Sequence, residues 1–81
     1  MSNSFGQTLR DYRERRGLSL RELQILSGVN YSYIHRLEAG VKLMPSKQTV
    51  DALSKALKLS AIEKRGLISF LSENFERIYN R

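Results

Sequence analysis

Apolar positions along the chain recur at the three- and four-residue spacing of amphipathic helices, and no stretch alternates with the period of two typical of strands. Breakers separate the periodic segments, at Gly17, Gly28, Gly40 and Pro45. The pattern predicts an all-α chain of five helices, at about residues 4–16, 19–27, 31–39, 46–57 and 61–80.

The predicted helix starts carry side chains that can accept a hydrogen bond from the free N–H groups of a first helical turn. Three pairs have the spacing of a reciprocal capping box: Ser4 with Gln7, Ser19 with Glu22, and Ser60 with Glu63. Asn30 and Ser46 are the predicted N-caps of the third and fourth helices.

The apolar face of each of the first four helices predicts its contribution to a core. These faces hold Phe5, Leu9 and Tyr12; Leu20, Leu23 and Leu26; Ile34 and Leu37; and Val50, Leu53 and Leu57. The last helix has the most regular pattern, through Leu67, Phe70, Leu71, Asn74, Phe75 and Ile78.

A length of 81 residues predicts one small domain with a modest core. The chain contains no cysteine, which excludes disulfides and thiolate metal sites from its stabilisation. No apolar run reaches the roughly 20 residues needed to cross a bilayer, and the polar start MSNSFGQTLR does not resemble a signal peptide. We therefore expect a cytoplasmic protein with no membrane partner.

The formal net charge is +6, and most of the basic excess lies before residue 60. A basic surface attracts polyanions, since phosphate neutralisation with counterion release is the largest nonspecific contribution to nucleic-acid binding. A solvated surface with a chance excess of lysine and arginine is the alternative. Charge alone leaves both interpretations open.

The segment SGVN, residues 27–30, joins the second and third helices through a glycine able to adopt the left-handed conformation. This connection is typical of a helix-turn-helix, whose second helix packs by one side and leaves the other free for a DNA major groove. Ile34 and Leu37 would pack inward. An outward stripe then contains Tyr31, Ser32, His35, Arg36 and Ala39.

Residues 5–60 resemble the small helix-turn-helix regulators of the Cro and cI repressor type, the Xre family. The resemblance rests on Leu9, Arg10 and Arg13; on GLS and EL around the second helix; on GV at the turn; and on YI, RLEAG, PS and LSKAL beyond it. It implies a five-helix, lambda-repressor-like DNA-binding domain, to which this chain would add an extended C-terminal helix. It also implies a homodimer on double-stranded DNA, with a palindromic operator.

Residue roles carried over from the family remain implications of the resemblance. DNA bases would be read by Tyr31, Ser32, His35 and Arg36. The DNA backbone would be contacted by Ser19, Arg21, Lys42, Ser46 and Lys47. A structural ion pair would join Arg13 to Glu38, for which the alternative is a merely solvated carboxylate.

Two residues depart from the family pattern. Leu20 replaces the usual glutamine at the first position of the second helix, which removes one expected phosphate contact. Gln24 replaces a small alanine between the two helices of the motif, where its amide would either disturb the packing or supply a polar contact.

The C-terminal segment has more apolar residues than a core closed by four helices needs. We therefore expect a single domain, 1–81, with a DNA-binding core at 4–60 and a C-terminal amphipathic helix at 61–80 that forms a dimer interface. The predicted interface residues are Leu67, Phe70, Leu71, Phe75, Ile78 and Tyr79. A role in the monomer core is the alternative.

Sequence-specific DNA binding by a transcriptional regulator, most plausibly a repressor, is the favoured function. The alternative is a protein-interaction module of the same fold, resembling an antitoxin or binding a transcription component, with weak or no specific DNA binding. His35 is the only histidine, so a metal site is not expected. Neither a cofactor nor catalysis is expected, because no nucleophile with an oriented base stands out.

Overall fold

The computed structural model describes residues 5–41 and 45–71. These two ranges contain five helices and no strand: α1 (Phe5–Arg15), α2 (Leu20–Ser27), α3 (Tyr31–Glu38), α4 (Lys47–Ala56) and α5 (Ala61–Ile68). The prediction of an all-α chain is confirmed over the described ranges. None of these helices has the length and apolar character required to traverse a bilayer.

The helix starts within the described ranges have the predicted caps. Ser19 and Ser60 each form the complete capping box, with Glu22 and Glu63 respectively. The Ser46 side chain accepts the N–H of Thr49 at the start of α4. Ser4, predicted to cap α1, lies outside the described residues.

One continuous core lies between the helices. Eight buried side chains form it: Phe5, Leu9, Leu23, Ile34, Leu37, Leu53, Leu57 and Leu67. Tyr12, Leu20 and Leu71 pack against this cluster as partly buried residues. Burial of these side chains is the main favourable contribution to folding, since no disulfide supplements it.

Helices α1 and α3 approach each other closely at Gly6. A Cβ atom added there would stand 2.8 Å from the carbonyl oxygen of Glu38, and closer still to that of Leu37. Both obstacles are backbone atoms, which cannot rotate away as a side chain can. The absence of a side chain at residue 6 therefore sets the distance between the first helix and the end of the third.

Arg16, just beyond α1, links three parts of the fold. Its Nε donates to the carbonyl oxygen of Leu57 at 2.7 Å, at the end of α4. Its Nη2 lies 3.4 Å from Oε1 of Glu63, in the first turn of α5. Glu63 also accepts the Ser60 N–H. The same carboxylate therefore caps α5 and joins the start of this helix to Arg16.

Two sequence predictions need correction. Leu26 was assigned to the inward face of α2, but its side chain is 58% exposed. Within α2 only Leu23 is buried, and Leu26, three positions later near the end of the helix, lies outside the surface that the core covers.

The predicted helix at 61–80 is not continuous, because α5 ends at Ile68 and is followed by turns and a bend through Leu71. Leu67, predicted at a dimer interface, is completely buried within the protomer and has no surface to offer a partner. Its position on α5 directs it into the shared core instead. Phe75, Ile78 and Tyr79 lie outside the described residues.

Candidate functional site

Helices α2 and α3 form the predicted helix-turn-helix. Gly28 follows α2 with φ of 80°, and its N–H donates to the carbonyl oxygen of Gln24 at 2.7 Å. This left-handed conformation costs glycine little, because it has no Cβ to clash with the following carbonyl. The chain therefore turns within the three residues that separate the helices, and α3 starts at Tyr31.

Two side chains satisfy the N-terminal backbone of α3. Asn30 is the N-cap, and its Oδ1 accepts the N–H of Ser32 at 2.8 Å and also the Ser32 hydroxyl. Gln24, from the middle of α2, accepts the N–H of Tyr31 at 2.7 Å through Oε1. Gln24 thus supplies the polar contact considered from the sequence, and this contact binds α2 to the first residue of α3.

Helix α3 has two chemically distinct faces. Ile34 and Leu37 are buried in the core. Ser32, His35 and Arg36 are exposed on the helix surface, as the sequence predicts. Because one helix face is fully occupied by the core, the exposed side chains are held at fixed positions along a rigid element.

Arg13 and Glu38 form the ion pair that the family resemblance implies. Arg13 Nε donates to Glu38 Oε2 at 2.7 Å and Nη2 donates to Oε1 at 2.9 Å. The remaining Nη1 donates to the carbonyl oxygen of Leu18 at 2.8 Å. The side chains of Arg13 and Glu38 are only 12% and 5% exposed, so a merely solvated carboxylate is ruled out. The hydrogen bonds to Glu38 raise the pKa of Arg13 above its ordinary value, although burial acts in the opposite direction.

Tyr31 and Arg21, predicted to contact a base and the DNA backbone, contact each other. The guanidinium carbon of Arg21 lies 4.3 Å from the centroid of the Tyr31 ring, within the range of a cation–π interaction. Arg21 Nη2 also donates to the Tyr31 hydroxyl at 3.2 Å. Tyr31 is half-buried, whereas Arg21 is exposed.

The other predicted backbone contacts lie near helix starts. Ser19 and Ser46 are the N-caps of α2 and α4, where free N–H groups favour an anion. Lys47 is exposed at the first position of α4. Lys42 lies outside the described residues.

Leu20 occupies the position where the family usually has glutamine. It is half-buried against the core and lines a shallow cleft of about 240 Å³ together with Arg10, Arg13, His35, Glu38 and Ala39. An apolar side chain at this position cannot donate a hydrogen bond to a phosphate. The expected contact is therefore missing, as the sequence indicates.

Apolar residues remain exposed at two places, on α2 and just beyond α5. Ile25 is 78% exposed beside Leu26, and together with Leu18 and Glu22 they line a shallow depression on α2. Beyond α5, Phe70 is 42% exposed and Leu71 is half-buried. Exposed apolar side chains grouped in this way are common where one protein contacts another.

No three histidine, aspartate or glutamate side chains come together as metal ligands within residues 5–41 and 45–71. The site instead consists of hydrogen-bond donors and cations on α2 and α3.

Sequence reasoning did not identify the stacking of Arg21 on Tyr31 or the links made by Arg16. Neither contact follows a local spacing rule, because Arg21 and Tyr31 are ten residues apart across a turn and Arg16 and Leu57 are 41 residues apart. One signal for the contact between Arg21 and Tyr31 was available in the sequence: Arg21 lies in the first turn of α2 and Tyr31 in the first turn of α3.

Comparison with known proteins places the motif in context. A family model described as a helix-turn-helix domain matches residues 4–67. The transcriptional regulator SlrR of Bacillus subtilis is 38% identical over 58 residues, which are 72% of this chain and 38% of SlrR. The transcriptional repressor RghR of the same organism is 41% identical over 56 residues, covering 69% of this chain and 42% of RghR. The regulator SinR is 36% identical over 55 residues, covering 68% of this chain and 50% of SinR. The chain thus spans half or less of the length of these relatives.

Proposed function

Because the chain belongs to the Xre family of helix-turn-helix transcriptional regulators, we propose that it binds double-stranded DNA sequence-specifically, with α3 in the major groove. The observation that carries this proposal is the exposed face of α3, which is polar and basic while the opposite face is buried. Regulators of this family act by binding, so the proposal includes no catalytic step.

Three side chains supply the base contacts in this proposal. The guanidinium of Arg36 can donate two hydrogen bonds to O6 and N7 of one guanine. Ser32 and His35 can each hydrogen-bond to a base edge, and they lie on the same surface as Arg36. Tyr31 was also predicted to read a base, but its ring and hydroxyl already contact Arg21.

The DNA backbone would be held on both sides of α3. The starts of α2 and α4, with Ser19 and Ser46 as caps, present backbone N–H groups to phosphates. Arg21 and Lys47 add positive charge beside these starts, and the net charge of +6 strengthens the attraction. We keep Lys42 in this set from the sequence alone.

A homodimer on a palindromic operator completes the proposal. Phe70 and Leu71 are the described residues that remain for an interface after Leu67 is assigned to the core. A two-fold dimer would place two recognition helices about 34 Å apart, one turn of the DNA helix. We propose repression as the outcome, supported by the likeness to a protein named as a repressor, RghR.

Selection of bound duplexes from a random pool tests the function directly. We expect the protein to enrich a sequence with two related half-sites, to hold it against a large excess of unrelated DNA, and to lose affinity as salt rises. Recovery of unrelated duplexes only, or affinity that competitor DNA abolishes, would rule out sequence-specific binding.

A second candidate function follows from the apolar surface on α2. Ile25 and Leu26 are largely exposed, and the family-type glutamine that would bind phosphate is replaced by Leu20. These features favour a protein-interaction module of the same fold, which uses α2 to contact another protein. Failure of duplex selection together with loss of a stable protein complex in an Ile25→Ser, Leu26→Ser variant would support this alternative.

A further inference from the structure

Helix α2 holds Tyr31 at two separate points. Arg21 and Gln24 are three residues apart and therefore lie on the same side of α2. Gln24 accepts the backbone N–H of Tyr31, while Arg21 covers the ring and donates to the hydroxyl. Tyr31 is therefore held by α2 at both ends, from its main chain to its phenol oxygen.

This arrangement leaves little of Tyr31 available to a base. One face of the ring is covered by a guanidinium 4.3 Å from its centroid, and the hydroxyl accepts a hydrogen bond from the same group. A thymine methyl packed on that ring face would displace the guanidinium, and a base edge bonded to the hydroxyl would have to share it with Arg21. Ser32, His35 and Arg36 are more exposed than Tyr31.

Arg21, in contrast, is oriented by the contact and keeps most of its donors. A guanidinium carries five N–H groups, and only one of them is directed at the Tyr31 hydroxyl. Arg21 is also the second residue of α2, so its charge adds to the partial positive charge at that helix start. Restricting a long side chain before binding reduces the conformational entropy that binding would otherwise cost.

We propose that Tyr31 is a positioning residue, which holds the guanidinium of Arg21 in place to bind one backbone phosphate of the DNA and does not itself read a base. This inference rests on the proposed function. It gives Tyr31, which was expected to read a base, a different role. Tyr31 then contributes to affinity on every duplex equally.

A double-mutant cycle on the selected duplex tests this assignment, with Arg21→Ala, Tyr31→Leu and the two combined. Leucine keeps apolar volume at residue 31 but has no ring face and no hydroxyl. We expect Tyr31→Leu to weaken binding about two- to fivefold on all duplexes alike. Arg21→Ala should lower the slope of log affinity against log salt by about one. The double variant should bind as Arg21→Ala does, since Tyr31 acts through Arg21.

Conservative and charge-matched variants separate positioning from general effects. Tyr31→Phe keeps the ring under the guanidinium and should preserve the salt slope of the wild-type protein. Arg65→Ala removes the same charge from an exposed position on α5. This variant should keep most of the affinity that Arg21→Ala loses. Thermal unfolding of each variant confirms that the fold is retained, and Arg21→Ala alters only an exposed side chain.

The assignment is overturned if Tyr31→Leu changes the preferred base at any position, or if its effect is as large without Arg21 as with it. A wild-type protein that selects no duplex overturns the proposed function, and this inference with it. A wild-type protein that selects a duplex while the cycle is additive overturns the inference alone.

Discussion

Arg13 and Glu38 join α1 to the last residue of α3 through two parallel hydrogen bonds. Since both side chains are largely buried, this pair lies beneath the recognition surface and not on it. The pair therefore holds the C-terminal end of α3 against α1. The residues proposed to touch DNA lie on another side of α3.

Replacing Glu38 by alanine should destabilise the protein by about 3 kcal/mol, because it leaves a buried guanidinium without its carboxylate. Glu14→Ala is the matched control: its pair with Arg10 is more than half exposed and should contribute less than about 0.5 kcal/mol. Urea unfolding of both variants measures the two values. Equal losses of stability in Glu38→Ala and Glu14→Ala would show that the buried ion pair contributes no more to stability than the exposed one.

Two glycine-to-alanine substitutions in helices should have opposite effects. At Gly6 the new Cβ would meet the backbone of α3, so we expect a loss of more than about 2 kcal/mol. At Gly66 no atom lies within 4 Å, so alanine should stabilise α5 by up to about 1 kcal/mol. Denaturation midpoints decide the matter, and a neutral Gly6→Ala would contradict the close approach of α1 and α3.

Gln24→Ala should cost about 1 kcal/mol of stability, since the N–H of Tyr31 loses its acceptor at the start of α3. Gln24→Glu keeps an oxygen in the same place and adds a negative charge near a helix start, so most of the stability should return. Hydrogen exchange at the Tyr31 amide gives a local readout. Unchanged protection of that amide in Gln24→Ala would refute its role as a cap.

Arg36→Ala should cost about 1 to 3 kcal/mol of binding free energy at one base pair and relax the preference there. The expected cause is loss of a bidentate contact, so Arg36→Lys should keep the charge yet lose much of the preference. Titration against single-substitution duplexes of the selected operator maps the effect. A loss spread evenly over all duplexes would instead assign Arg36 to the backbone.

We expect the contribution of Glu63 to the stability of the folded protein to be lost in acid. The Ser60 N–H and the charge of Arg16 lower the pKa of Glu63, so the unfolded chain takes up a proton at higher pH than the folded protein. The stabilisation is complete above the ordinary glutamate pKa of about 4.3 and is lost as the pH falls through the lowered folded pKa.

Urea midpoints of the wild-type protein and Glu63→Gln between neutral pH and about pH 3 check this expectation, because glutamine keeps the capping geometry but does not titrate. The difference in stability between the two proteins should be largest near neutrality and shrink with acid. A constant difference would contradict it.

Local signals predicted the helices well, because a cap and its partner lie within four residues of each other. Ser19 with Glu22 and Ser60 with Glu63 could be identified without knowledge of the fold. The prediction for Leu26 is wrong because helical spacing places it on the same side as Leu23 but does not tell how far the core extends along α2, and both Ile25 and Leu26 are exposed.

The site was predictable in outline and not in its internal contacts. The buried and exposed faces of α3 follow from helical spacing, and the family resemblance implied the pair of Arg13 and Glu38. The contact of Arg21 with Tyr31 depends on the angle between α2 and α3, which the core sets and no short pattern records. The same holds for Leu67, whose destination depends on how α5 lies against α1.

The hydrogen bonds of Arg16 determine where a boundary can be placed when this domain is fused to another protein. A boundary drawn after Leu59, before α5, would leave Arg16 without Glu63 and open a leucine-sized hole where Leu67 packs. The portable unit therefore extends at least to Leu71. A fusion partner joined before Leu67 must itself supply the apolar side chain that this residue contributes to the core.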